Sequence, residues 1–209
     1  MTTETYSDHP VTPLREGWHA VALSRDVPVG QPLPVILGGR EIVVWRGESG
    51  AVRAWVDRCP HRGMRLSFGF VRGDTLSCLY HGWRYRLDGG CEHIPAHPDL
   101  VPPKTITTDA YPTAEAAGLV WLRIGAGTET PEAPAGDWQG AASVTIDVAA
   151  DALCAGLALP TGFHAEVQPV VENRCRVHVI APYGRLKEAA AFAAQLRHQV
   201  ETQSLLAAE

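Results

Sequence analysis

Two short stretches of this sequence gather residue types that bind metal: Cys59-Pro60-His61-Arg62-Gly63 and Cys78-Leu79-Tyr80-His81-Gly82-Trp83. Each pairs one cysteine with one histidine, and sixteen residues separate His61 from Cys78. Two thiolates and two imidazoles delivered from two loops suit a [2Fe-2S] cluster in which one iron takes the sulfurs and the other the nitrogens. Neutral imidazole in place of thiolate raises the reduction potential of such a cluster. The chemistry is then transfer of single electrons. The rival is zinc, because two cysteines and two histidines are also a zinc ligand set. Against zinc, no helix carries the closely spaced histidine pair of a zinc finger. Gly63 and Gly82 also stand where each loop must turn sharply and bring backbone N–H groups near bridging sulfurs.

The elements that must hold these loops read as short strands. Gly17–Leu23 alternates weakly, and 40–46 and 51–57 flank a Gly47-Glu48-Ser49-Gly50 turn as a hairpin. Gly38-Gly39 and Leu87-Asp88-Gly89-Gly90 are further turn signals, and Gly118–Ile124 closes the set as a buried strand. Residues 126–140 have linker composition. Beyond them, 143–148 reads as a strand, 151–159 as an Ala-rich helix stopped by Pro160, and 165–171 with 174–180 as a hairpin around Glu172-Asn173. Apolar residues at 186, 189, 193, 196 and 200 mark an amphipathic helix over 185–206. The expected fold is a mainly β metal-binding domain over 1–125, with its core at about 15–125. A linker over 126–140 and a small α+β unit over 141–209 that ends in a long helix follow.

Bulk properties fit a soluble globular chain of one large or two small domains: 209 residues, 45% hydrophobic and 20% charged. The net charge of −5 argues against nucleic acid or an anionic membrane as partner. Met1–Pro10 is polar, which predicts neither a signal peptide nor an anchor, and no stretch approaches the roughly 20 apolar residues of a membrane span. Cys91, Cys154 and Cys175 lack the spacing of a disulfide framework, so a reducing cytoplasm is expected. His93 and His97, with Asp99 nearby, are separated by the helix-breaking Pro95 and read as ordinary loop residues. His164 and His178 read as partly buried strand histidines. No catalytic serine arrangement, phosphate-cradling loop or nicotinamide or flavin site is present, so electrons must come from another protein.

Cys-Pro-His-Arg-Gly followed by Cys-x-Tyr-His-Gly-Trp resembles the Rieske domain of the non-haem iron oxygenases, in particular the O-demethylase and phenoxybenzoate-dioxygenase branch. The likeness runs over roughly 15–125, from Gly17-Trp18 to Gly118-Leu119-Val120-Trp121. It implies that Cys59, His61, Cys78 and His81 ligate the cluster. Arg62, Gly63, Tyr80, Gly82 and Trp83 would then surround it, with Trp83 as a shielding platform. Respiratory Rieske proteins carry an extra disulfide between the loops and a serine after His-Gly. Here Met64, Leu79 and Tyr80 offer no such cysteine, and Trp83 replaces the serine. With fewer hydroxyl bonds to the sulfurs, a potential near the low end of the Rieske range, about −150 mV, is expected.

In full-length relatives a second domain binds a mononuclear iron through two histidines and a carboxylate, from a helix reading approximately Asn-x-x-Asp-x-x-His-x4-His. The nearest match here puts Ala152, Ala155 and Ala158 at the Asn, Asp and first His positions, and His164 one residue off the second. No aspartate follows Asp151. A shortened C-terminal region without its own mononuclear iron, and with no catalytic residue, is therefore expected. The resemblance implies an electron-transfer component of an oxygenase system, and hence an oxidoreductase component. Its donor would be a reductase or ferredoxin and its acceptor an oxygenase subunit, within a homo- or hetero-oligomer. Two alternatives stand beside it: a small self-contained monooxygenase or demethylase with ligands such as His164 and His178, and a non-catalytic subunit that stabilises an active homologue.

Overall fold

The computed structural model describes residues 11–206; the polar segment Met1–Pro10 lies outside them. In chain order the strands begin with β1 (Gly17–Leu23), β2 (Leu33–Leu37), β3 (Arg40–Arg46) and β4 (Val52–Val56). Four three-residue strands follow, β5 (Phe70–Arg72), β6 (Thr75–Ser77), β7 (Arg84–Arg86) and β8 (Cys91–His93). Then come β9 (Ala110–Tyr111), β10 (Thr113–Ala116), β11 (Leu119–Ile124) and β12 (Trp138–Ile146). Helix α1 (Ala150–Gly156), β13 (His164–Val171), β14 (Arg174–Pro182) and helix α2 (Leu186–Leu206) complete the chain. The molecule is mainly β with one long C-terminal helix. Among the described residues no helix is long and apolar enough to cross a membrane.

Two compact units form. Among the described residues, one gathers 26–35 and 41–114, the other 11–25, 36–40 and 115–206. The first unit is built on two four-stranded sheets, β2-β3-β4-β9 and β5-β6-β7-β8. In the second sheet, the register Phe70↔Ser77↔Arg84 and Val71↔Leu76↔Tyr85 fixes the facing. Alternation sends Val71, Leu76 and Tyr85 inward, where all three are buried, and leaves Phe70, Arg72, Arg84 and Arg86 exposed on the other face. The core beneath packs these residues with Val43, Trp45, Trp55 and Leu66, and it also holds Cys59, Cys78 and Cys91. The ligand loops thus rise from the ends of strands anchored in one apolar core.

The other unit carries sheets β1-β11-β10 and β12-β14-β13. Ala189, Ala193 and Leu196 of α2 bury against Val177 and Val179 of β14 and Ile146 of β12, as the i, i+4, i+7 spacing predicts. Strand β12 starts at Trp138 rather than near Ser143. Its pairing with β14, Trp138↔Pro182 through Ile146↔Cys175, extends it through Gly140, Ala141 and Ala142, whose own strand preference is low. Helix α1 stops at Gly156, short of the expected 159, because a glycine without a following cap is a weak helix position. On the side of β14 away from α2, His178 is fully buried. One ring nitrogen lies 2.8 Å from the Ser143 hydroxyl and the other 2.8 Å from the Gln168 carbonyl oxygen, and the Gln168 amide donates in turn to the Ile36 carbonyl.

Candidate metal centre

The two loops share one bonding frame. In the first, the Cys59 N–H donates to the Met64 carbonyl at 2.8 Å and the Gly63 N–H to the Cys59 carbonyl at 2.9 Å. In the second, Cys78 donates to Trp83 at 2.9 Å and Gly82 to Cys78 at 3.0 Å. The closing turn requires left-handed backbone at its fifth residue, with φ of 70° at Gly63 and 68° at Gly82, which glycine supplies without a Cβ clash. The frame aims backbone N–H groups at sulfur: those of His61 and Arg62 face Cys59, and those of Tyr80 and His81 face Cys78. Within this common frame the histidine sits at the third residue of one loop and the fourth of the other.

The donors come together in two pairs. The thiols of Cys59 and Cys78 are hydrogen-bonded to each other and buried, at 3% and 2% exposure. The imidazoles of His61 and His81 meet with ring centroids 4.7 Å apart. Among the described residues no group of three His, Cys, Asp or Glu converges as on one ion. Two donors for each of two irons fits this division.

Electrostatics favour the ligand forms of Cys59 and His61 and oppose that of Cys78. The hydrogen bond from Cys78, backed by the Tyr85 hydroxyl and the two backbone N–H groups, draws the Cys59 thiol down to about 6 against the opposing effect of burial. Sharing that hydrogen, and burial, hold Cys78 above its ordinary value. Desolvation, then His81 and Arg62 close by, keep His61 below its usual value. Burial raises the Cys91 thiol, which lies in the same core.

The imidazoles differ in their surroundings. His61 is half-buried and stacked on Trp83, with centroids 4.3 Å apart and planes 7° from parallel. His81 is exposed, with Tyr80 tilted beside it at 3.8 Å. Arg62 is exposed, and Gly82 packs below Pro95 of the 93–97 loop, whose His97 is exposed while His93 ends β8.

Three residues not singled out in the sequence support this centre. The Tyr85 hydroxyl lies 3.0 Å from the Cys59 sulfur. Buried Glu41 accepts from Arg58 at 2.7 Å and also from Arg65, bracketing the first loop. Buried Asp57 accepts from the Ser67 N–H at 2.7 Å and its hydroxyl at 2.5 Å. Tyr85 stands two residues after Trp83 on the inward-facing alternation of β7, the one trace it leaves in the sequence. Glu41 and Asp57 leave none, because their partners are distant in the chain.

His164 and His178 do not converge as metal donors. His164 bonds Glu166 at 2.8 Å, and both ring nitrogens of His178 are taken by Ser143 and Gln168.

A buried thiol pair and an imidazole pair, presented by twin loops on a β scaffold, define a Rieske-type iron–sulfur module. The Rieske [2Fe-2S] domain family matches residues 17–111. The oxidoreductase NdmD of Pseudomonas putida is 41% identical over 109 residues, covering 52% of this chain and 18% of that protein. The 3-chlorobenzoate-3,4-dioxygenase oxygenase subunit of Comamonas testosteroni is 36% identical over 123 residues, 58% of this chain and 28% of its own length. The chain therefore spans less than a third of these curated relatives. Among solved structures, apo dicamba monooxygenase superposes with a TM-score of 0.72 at 18% identity, over 92% of this chain and 87% of that one, a likeness of fold. The chain carries a Rieske [2Fe-2S] domain, its cofactor is a Rieske-type cluster, and oxygenase components stand among its relatives.

Proposed function

We propose that this chain is a one-electron carrier of an oxygenase system. It takes electrons from a reductase or ferredoxin and passes them to a mononuclear iron on an oxygenase subunit. Cys59 and Cys78 would hold one iron of the cluster and His61 and His81 the other; the bound cluster supplies reversible one-electron storage. The observation that carries this reading is the unequal imidazole pair. Trp83 covers His61, and the open edge of His81 is where a partner's centre can come closest. The buried thiols and their N–H donors hold the sulfur side away from water, which protects the cluster from hydrolysis and oxidation. The oxygenase reading in which His164 and His178 bind iron is disfavoured by the two hydrogen bonds that occupy His178.

Iron and sulfide analysis with visible and EPR spectra of the purified protein tests the proposal. Two irons and two sulfides per chain, with a reduced-state EPR signal of mixed sulfur and nitrogen ligation, are expected. One colourless zinc per chain would overturn the cluster assignment. A third iron together with turnover by this chain alone would overturn the carrier role.

A further inference from the structure

Charge in this chain is segregated. Between Arg58 and Arg86 there are six arginines (58, 62, 65, 72, 84 and 86) and one acid, Asp74. The rest of the chain, with 12 Lys and Arg against 22 Asp and Glu, carries −10. An overall acidic protein therefore places a basic segment around its metal-binding loops, where a uniform charge would have repelled an acidic partner.

The fold puts three of these arginines on one face. The pairings Phe70↔Ser77↔Arg84↔His93 and Arg72↔Thr75↔Arg86 run across the ligand sheet. Directly paired residues share a face, and the opposite face is the buried one, so Arg72, Arg84 and Arg86 project outward together. The first of these rows abuts the second ligand loop, since Cys78 follows Ser77 and Trp83 precedes Arg84. Arg62, exposed, adds a cation directly after His61. Of the acids nearby, Glu41 is buried against Arg58 and Arg65, and Asp88 pairs with Arg86. Asp74 and Glu92 keep their charge on the Ser49 and Thr75 hydroxyls, so the positive margin is that of Arg62, Arg72 and Arg84.

The same surface exposes large apolar side chains. Leu79 and Tyr80, which lead into His81, are 61% and 55% exposed, and Phe68 is 57% exposed. Gly69 is pressed against the Ser77 carbonyl so closely that a Cβ there would clash with its oxygen. Phe70 pairs with Ser77, the residue before Cys78 and the Leu79 loop, and Arg72 lies over the Phe70 ring at 5.2 Å. An apolar tip with an arginine margin is the composition of a protein interface, in which aromatic residues and arginine are enriched. Electron carriers need such an interface small and quick to separate, with charge raising the rate of encounter.

We propose that this surface docks an acidic electron-transfer protein, its apolar tip meeting the partner's centre at His81 and its Arg62, Arg72 and Arg84 margin meeting carboxylates. The proposal rests on the carrier reading above and adds the partner's chemistry to it.

Stopped-flow electron exchange with two protein probes of opposite charge tests it, using the cluster-loaded chain. A reduced acidic plant-type ferredoxin gives one electron to the oxidised cluster, and the reduced cluster gives one to basic ferric cytochrome c. With ferredoxin, the second-order rate constant should fall about tenfold or more between 20 and 500 mM salt. Arg72→Glu with Arg84→Glu should lower the low-salt rate by about tenfold and flatten its salt dependence. The milder Arg72→Gln with Arg84→Gln should fall between, and serves if the reversal impairs folding. Cytochrome c should show no such acceleration at low salt. A ferredoxin rate indifferent to salt and to both variants overturns the docking face, as does tighter salt-sensitive retention on duplex DNA or anionic lipid vesicles than on ferredoxin. Reduction by dithionite and reoxidation by ferricyanide separate the two readings. If the cluster cycles with these reagents, a docking failure leaves the carrier role standing; if it does not, the carrier role itself falls.

Discussion

The Tyr85 hydroxyl, 3.0 Å from the Cys59 sulfur, stabilises whichever redox state places more negative charge on that sulfur, which is the reduced one. The low potential expected from scarce hydroxyl bonds leaves this contact out, so the midpoint should lie above about −150 mV. Tyr85→Phe should lower it by roughly 20–60 mV, the equivalent of one net hydrogen bond for a one-electron couple. Redox titration of the two proteins checks this, and an unchanged or raised midpoint would dismiss the contact. The nine residues named from the motif could be proposed from the sequence because ligand chemistry fixes both type and spacing within a single loop. Tyr85, Glu41 and Asp57 act through partners 26, 17 or 24, and 10 residues away, which no local spacing records.

At the scale of elements, the ligand loops make a graded prediction. Gly63→Ala meets open space and should cost only the left-handed backbone penalty, about 1–2 kcal/mol. Gly82→Ala incurs that and also a Cβ 3.1 Å from the Pro95 ring, so it should unfold lower and lose its cluster sooner. Melting curves and the half-life of the visible absorbance compare the two. Strand β14 makes another prediction. Burial, and then the Arg176 charge, press His178 down to about 3. Unfolded, the same ring takes a proton near 6.5, so the unfolded chain binds more protons between these values and stability falls as pH drops through that window. At pH 4.5 this group alone should remove on the order of 2–3 kcal/mol relative to pH 7. His178→Gln should flatten that slope in urea titrations. The long hairpin strands, β14 and α2 were readable because periodicity had seven or more residues to act over. The three-residue strands β5 to β8 were not, being too short for alternation to register, and the start of β12 was hidden because its pairing partner, not its Gly-Ala-Ala composition, makes it a strand.

The whole molecule has separate apolar cores, one containing Cys59, Cys78 and Cys91 and another formed by α2 with β12, β13 and β14. Stripping iron from the protein should therefore loosen one part and spare the other. Amide exchange is expected to quicken across 57–97 after iron removal while α2 keeps its protection. Equal quickening in α2 would show that the cluster supports both cores. Glu41→Gln should reproduce a muted form of the same pattern, because it weakens the charge contacts to Arg58 and Arg65 on either side of the first loop.

Of the six tryptophans, Trp83 lies flat against His61 of the proposed cluster site. A ring in that position is a light source beside a dark absorber, so the loaded protein should emit weakly at indole wavelengths and brighten as iron leaves. Trp83→Phe should take away much of that gain. The state of the centre can then be followed in a fluorimeter, in dilute solution and in real time, with no dye attached.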